Sequence, residues 1–271
     1  MAGNGGWQLT ESGPEAYEQY LVPPLFGPWA ERLIKHANIR EGDRVLDVGC
    51  GTGIMARRAA THVGEQGTVV GIDINEAMLT VARTATADIT PAIEWRQGDA
   101  TALPFSDETF DVIFCQQALQ FVEDPAVALR EMHRVLAPEG RLAVSVFRPL
   151  SYNVGYDKLA EALERHAGAE AGMMMRSPFR GHSRKELRAL AEDAGFSDPV
   201  ITIEISSVRY PSVEEFVRRE AASSPLAGSL DSLDRGVREV LLDDIAEALH
   251  DYIDDQGIVI PLDSHVLVAQ R

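Results

Sequence analysis

Two cysteines in 271 residues, Cys50 and Cys115, are too few for a disulfide framework and sit at no metal-ligand spacing. Both fall at expected strand ends where they could lie close together, and reduced, packed thiols are the expectation. The seven histidines show no paired spacing either, so no metal is expected. The N-terminal MAGNGGWQLTESGPE lacks the apolar stretch of a secretory signal, and no later run is long enough to span a bilayer. The expectation is a cytoplasmic protein. Basic residues are also scarce, with 25 Lys and Arg against 42 Asp and Glu, a net charge of −17 and a pI near 4.8. Nucleic-acid binding relies on neutralising phosphates, and an anionic membrane surface attracts cations, so this balance argues against both as partners. An acidic, well-solvated surface remains.

What is present is ordinary for a globular chain: 45% hydrophobic and 25% charged residues. The length suits one large α/β domain with an insertion, or two small domains. The organising stretch is RVLDVGCGTG, Arg44 to Gly53. Val45, Leu46 and Val48 read as a buried parallel strand. The strand stops at Gly49, Gly51 and Gly53, and a helix opens at Ile54. Strand, glycine turn and helix form the nucleotide-binding half of a doubly wound sheet, which takes ligands at the carboxyl ends of its strands. A side chain at the glycines would hold a ligand away from the backbone. Position 54 is Ile where the dinucleotide fingerprint wants a third glycine, and no Gly-Lys-Ser/Thr follows. Asp47, just before the turn, suits a ligand ammonium better than a pyrophosphate.

LDVGCGTG resembles the first motif of the class I S-adenosylmethionine (SAM)-dependent methyltransferases, of the small-molecule, methyltransferase type 11-like kind, and further matches follow at the right offsets. Thr68 to Asp73 reads as the second strand and ends in an acid 20 residues past Gly53. An acid there can accept both ribose hydroxyls, a need common to SAM and NAD. Ile74 can pack on the adenine, and Asn75 caps a helix expected from Glu76 to Ala87. The family's second motif sits here, with Met78 and Leu79 as typical occupants. Ala92 to Gln97 reads as the third strand, and GDATALPF matches the family's third motif. The resemblance implies that Asp99 takes the adenine amine while the Ala100 N–H addresses the ring, readout by donor and acceptor pattern. Phe110 to Cys115 is the fourth strand. Gln116 and Gln117 follow at a position which, in the family, touches the cofactor's methionine end through backbone carbonyls. Where many relatives carry His or Asn, this chain reads QQALQF, and an amide cannot act as a general base. Asp124-Pro125 opens a helix through Ala137, and Val135 to Phe147 supplies a helix end, a turn and the fifth strand.

The resemblance therefore implies SAM as cofactor, S-adenosylhomocysteine as product, and a Rossmann-like doubly wound sheet. Seven mostly parallel strands are expected, with an antiparallel last strand and a helical lid insertion. The expected divisions are a tail and cap helix over 1–39, a cofactor-binding core over 40–148, and lid insertions plus the last two strands over 149–271. The tail itself covers residues 1 to 13. The cofactor residues are Tyr20, Asp47, Gly49, Cys50, Gly51, Gly53, Asp73, Ile74, Met78, Asp99, Ala100, Gln116 and Gln117. In the family an N-terminal segment often folds over the cofactor, so Tyr17, Tyr20 or Phe26 either closes on the methionine moiety or simply anchors the core. A helix from Trp29 to Ala37 follows them.

Beyond residue 148 the pattern is helical and irregular. Tyr152, Asn153 and Tyr156 lead into a helix over Asp157 to His166, and a loop is expected from Met173 to His182. Ser183 to Glu186 and Ser212 to Glu215 read as capping boxes. Val200 to Val208 is the sixth strand, the run from about Leu233 to Tyr252 reads as helical, and Ile260 to Ala269 is the last strand, between the fifth and sixth. Met173 to Arg188 carries a local charge of +4 and Asp231 to Asp255 one of −7. The acidic stretch reads as a solvated helix face. Arg176 or Arg180 is a candidate for an anionic group on the acceptor, against the alternative of solvated loop arginines. Met173 to Met175 either fill a helix end or line an adaptable pocket.

Displacement at a sulfonium has an activated leaving group, so a protein contributes mainly alignment and exclusion of water. A base is needed only if the acceptor must lose a proton. His182 and Gln117 are the catalytic candidates, and Tyr17, Gln120, Arg148, Tyr152, Tyr156, Arg176 and Arg180 the acceptor contacts. The expected activity is methyl transfer to a small-molecule acceptor. Three rivals are a silent SAM-binding scaffold or sensor, an NAD-dependent oxidoreductase, and a SAM-consuming reaction other than methyl transfer; Ile54 with Asp47 and Asp99 counts against the second.

Overall fold

The computed structural model describes Leu9 and residues 12–86 and 89–271. The expected tail over residues 1 to 13 falls mostly outside the described residues, as does Ala87, the expected end of one helix. Among the described residues there are eight strands: β1 (Arg44–Val48), β2 (Thr68–Asp73), β3 (Ile93–Gln97), β4 (Phe110–Gln116), β5 (Leu136–Phe147), β6 (Ser197–Tyr210), β7 (Ile253–Asp254) and β8 (Gly257–Gln270). The sheet order is β3-β2-β1-β4-β5-β8-β6, with β7 paired to β8. The seven-strand path expected of the sequence is there, the last strand lying between the fifth and sixth. The two-residue β7 is an addition, since Ile253 and Asp254 fold back on Ile258 and Gly257.

The chain divides into two compact units. The larger comprises Phe26–Val146, His182–Glu204 and Ser264–Arg271. Its central strands are parallel: β1 lies between β2 and β4, with Asp47 opposite both Gly71 and Phe114. Leu46, Val48, Ile72, Ile113, Val144 and Leu267 form one buried face with Leu129, Met132 and Leu187 of the covering helices. Caps place those helices. Asn75 accepts the Ala77 N–H at 2.9 Å, and Asp124 accepts the Val127 N–H at 3.0 Å with Pro125 in the first turn. Ser183 and Glu186 close a full capping box at the start of Arg184–Asp193. Each satisfies N–H groups that the first helical turn cannot.

The smaller unit comprises the described part of Met1–Leu25 with Phe147–Gly181 and Ile205–Asp263. It is mostly helical, with Val154–Ala167, Ala169–Arg176, Val213–Ala222 and Arg235–Ala248 as its longer helices. Two local expectations are corrected. Met173 to Arg176 are the last turns of the helix Ala169–Arg176, and Ser177–Phe179 is a short 3-10 turn, so the loop is confined to the residues that follow. Gly168, at φ +100, lets that helix start directly after the one before it. Ser212 caps its helix through the Glu215 N–H, but the Glu215 carboxylate turns to Arg218 and Arg219, at 2.7 and 2.8 Å, so that box is only half made. Finally, the prolines at 23 and 24 sit in a five-residue π-helical turn, Val22–Phe26.

Candidate functional site

The site lies in the larger unit, at the carboxyl ends of β1, β2 and β4. Gly49 has φ +68, and a Cβ there would meet the Ala118 Cβ at 2.4 Å. Glycine is thus required twice, by backbone conformation and by close approach of the turn after β4. We expect Gly49→Ala to cost about 1–3 kcal/mol of stability through strain and overpacking. Urea unfolding checks this, and a loss below a few tenths would contradict the observed approach. Trp95 fills the space beneath the loop, its ring set where Cβ atoms on Gly53 and Gly71 would lie, both at 2.3 Å.

Asp73, at the end of β2, receives the Gly51 N–H on Oδ2 and the Asn75 N–H on Oδ1, each at 2.8 Å. Burial pushes its carboxyl upward, and the Asn75 and Gly51 N–H groups oppose that shift. Ile74 beside it is 57% exposed, an apolar face waiting for a flat partner. Met78 reaches within 3.2 Å of the Cβ position of Gly51. Asp99 holds its own turn, accepting the Thr101 N–H and hydroxyl, both at 2.8 Å. Asp47 is buried, with Oδ2 accepting the Ala56 N–H at 3.0 Å. Burial pushes its carboxyl up to about 7, and the nearby Asp73 charge adds to the shift. Cys50 and Cys115 are buried free thiols, raised above their usual range by burial, Cys115 to about 12. Neither is a nucleophile near neutral pH.

Gln116 ends β4 and Gln117 follows it, both buried. The Gln116 amide donates to the Phe26 carbonyl at 2.9 Å, and the Gln117 amide to the Ser264 hydroxyl at 2.8 Å. Gln117 sits at φ +51, a conformation unusual for a residue with a side chain, and its N–H reaches the Ser145 carbonyl at 2.9 Å. Six buried side-chain atoms without a hydrogen-bond partner gather here: Asp47 Oδ1, Thr52 Oγ1, Gln116 Oε1, Gln117 Oε1 and both amide atoms of Gln120. A buried polar atom left unmatched costs about 1–3 kcal/mol, so such a concentration marks a place where a ligand completes the pairing. The sequence indicated most of these residues. Thr52 it passed over, though its place between two glycines of the loop was the signal.

The remaining candidates sit in the smaller unit, except His182, a half-buried residue just before the Ser183 cap of the larger one. Arg148 pairs with Asp263 at 2.9 Å and lies over the Tyr152 ring at 3.5 Å. Tyr20 lies under the guanidinium groups of Arg218 and Arg219, at 4.7 and 5.8 Å. Tyr17 belongs to the helix Gly13–Tyr20. Arg176 pairs with Glu164 at 2.5 Å, while Arg180 is exposed. Tyr156 is buried, and its hydroxyl donates to Glu220 Oε1 at 2.9 Å; Tyr210 donates to the same oxygen at 2.7 Å. Glu220 is a functional-looking group that the sequence reading missed. Its signal was position, since it shares the apolar stripe of its helix with Phe216, Val217 and Ala221.

A family model described as a methyltransferase domain matches residues 46–144. The chain is 37% identical over 186 residues to the ubiquinone/menaquinone biosynthesis C-methyltransferase UbiE of Cronobacter sakazakii, covering 63% of this chain and 72% of that protein. It is 33% identical over 191 residues to the demethylmenaquinone methyltransferase of Staphylococcus aureus, covering 67% and 76% respectively. In fold it is similar to phosphoethanolamine N-methyltransferase 2 of Haemonchus contortus, solved in complex with S-adenosylhomocysteine. The TM-score is 0.61 and the identity 21%, over 97% of this chain and 57% of that one.

Proposed function

This chain belongs to the class I SAM-dependent methyltransferases, and we propose that its acceptor is a small ring compound of the quinone type, methylated on carbon. The observation that carries this reading is its similarity to two quinone-pathway methyltransferases across most of their length. SAM is the cofactor, and the residues at the strand ends suit it. Asp73 offers two oxygens to a ribose diol, exposed Ile74 a surface for the adenine, Asp99 and Ala100 its edge, and the unmatched atoms around Gly49 a polar amino-acid end. When bound, SAM supplies an electrophilic methyl on a cationic sulfur, transferable by in-line displacement.

Orientation is then the protein's main contribution, with residues 40–148 as the cofactor-binding core and 149–271 as the source of acceptor contacts. Tyr152 and Arg180 are the exposed candidates among those contacts. Tyr156 is not available in the same way, because its hydroxyl already donates to Glu220. A carbon acceptor must lose a proton after methylation, and His182 is the imidazole proposed for that role. Gln117 serves only to orient, since its amide neither takes nor gives a proton at neutral pH. Among the described residues no helix is long and apolar enough to cross a membrane.

The test incubates the protein with methyl-labelled SAM and a panel of demethylated naphthoquinols and benzoquinols, phenols and alkylamines. Label on a ring carbon, with one S-adenosylhomocysteine formed per product, is the expected result. Label only on nitrogen or oxygen acceptors overturns the acceptor class. S-adenosylhomocysteine binding without any product favours the silent-binder alternative.

A further inference from the structure

We propose that Arg148 recognises an uncharged ring oxygen of the acceptor, donating to it through Nε–H from a frame made by Asp263 and Asn153. The assignment deepens the ring-acceptor reading above and rests on it. Arg148 follows directly on β5, at the carboxyl end of the strand, the side on which doubly wound sheets take ligands. Its backbone N–H donates to the Asp263 carbonyl at 2.9 Å, and its Nη1 to Asp263 Oδ2, also at 2.9 Å. Asn153, fully buried, ties the two together. Its Oδ1 accepts the Asp263 N–H at 2.7 Å, and its Nδ2 donates to the Arg148 carbonyl at 2.9 Å. A backbone N–H only donates, so the Asn153 amide cannot be turned round. In this frame the buried side-chain atom left without a partner is Arg148 Nε. A guanidinium N–H so placed has given up hydration without a replacement, a penalty that an oxygen on a ligand removes.

Two features select the ligand. The side chains of Arg148 and Asp263 are each only 12% exposed, and their charges cancel. A carboxylate or phosphate brought there would be a third, uncompensated charge in a poorly hydrated place. A hydroxyl or carbonyl oxygen accepts the single N–H without that cost. The guanidinium also lies over the Tyr152 ring, 3.5 Å from its centroid, and Tyr152 is itself 52% exposed. Asp263 and Asn153 are thus the fixed side of the frame, and Tyr152, on the short turn Leu150–Tyr152, is its movable cover. A flat ring stacks on a guanidinium and an aromatic side chain, which an alkyl chain does not. Asp263 and Asn153 are then positioning residues, acting on the acceptor through Arg148.

The test titrates two ligands that share one ring system, 1-naphthol and 1-naphthoate, by calorimetry with S-adenosylhomocysteine present. The wild type should prefer the naphthol. Arg148→Lys keeps a cation beside Asp263 but loses the Nε donor. It should weaken naphthol about tenfold or more, as expected for one buried hydrogen bond from a charged group, with S-adenosylhomocysteine within twofold of wild type. Asp263→Asn leaves the guanidinium uncompensated and should shift the preference about tenfold toward naphthoate. A purely structural pair would instead weaken both naphthalene ligands alike in either variant, so one variant decides the question if the other fails to fold. That result overturns the assignment. So does naphthol bound by Arg148→Lys as tightly as by wild type, which would mean that water already satisfies Nε. If the wild type binds S-adenosylhomocysteine but neither naphthalene ligand, the ring-acceptor reading itself falls, and this assignment with it.

Discussion

Asp73→Ala is expected to weaken S-adenosylhomocysteine binding by about 100-fold or more, the equivalent of two lost hydrogen bonds to a charged group. A carboxylate has lone pairs for about four hydrogen bonds. Here the Gly51 N–H takes one on Oδ2 and the Asn75 N–H one on Oδ1, and the Ile74 N–H adds a third, leaving only part of the capacity open to the hydroxyls of a ribose. The Gly51 bond also holds the glycine loop to β2, so alanine orphans backbone N–H groups as well, at about 1–3 kcal/mol of stability. Asp73→Asn separates the effects poorly, because its amide N–H₂ must face one of those backbone donors. Urea unfolding of the same variant measures the stability part separately, and NAD titrated in parallel should bind neither form. Calorimetry showing S-adenosylhomocysteine within tenfold of wild type on Asp73→Ala would remove the diol reading of this residue.

The cofactor side was legible in the sequence because each of its parts is local. RVLDVGCGTG is one strand and one turn, TVVGID ends in its acid, and GDATALPF is a single loop. No contact across the chain is needed to recognise them. The acceptor side was not legible for the opposite reason. Tyr156 meets Glu220 across 64 positions, Arg148 meets Asp263 across 115, and Asn153 receives the Asp263 N–H across 110. Such pairings are properties of the assembled unit. Helix limits failed where periodicity is weak, as in AEAGMMMR, whose small residues carry little amphipathic signal. The π-helical turn around Pro23 and Pro24 reverses the ordinary expectation that paired prolines end a helix.

Raising the pH from 5 to 8 is expected to destabilise the protein, and Glu220→Gln to remove a large part of that loss. Glu220 is 3% exposed, in a setting built of rings: Tyr156 contacts Phe179 and Phe216, and Tyr210 contacts Phe216, at centroid distances of 5.0 to 5.7 Å. Burial pushes its carboxyl up to about 7, and the hydroxyls of Tyr210 and Tyr156 only partly oppose this. No charged side chain enters among the causes of the shift. The folded form therefore keeps its proton to higher pH than the unfolded chain, whose glutamate ionises near 4.5. Its stabilising contribution is fully present below that value and is lost as pH rises through about 7. Over the interval the loss is on the order of 3 kcal/mol. Asp47, also raised to about 7 by burial, acts in the same direction in the larger unit. Carboxylates lowered by ion pairs, such as Glu215 at about 2, change charge well below this window and do not offset the trend. Glutamine keeps an oxygen for both tyrosine hydroxyls and has nothing to ionise. Urea unfolding of wild type and Glu220→Gln at pH 5, 6.5 and 8 should give curves that diverge with pH, the variant gaining relative to wild type by about 2–3 kcal/mol at pH 8. Parallel curves would mean that Glu220 is already ionised at pH 5 in the folded protein, and that water reaches it between the two tyrosines.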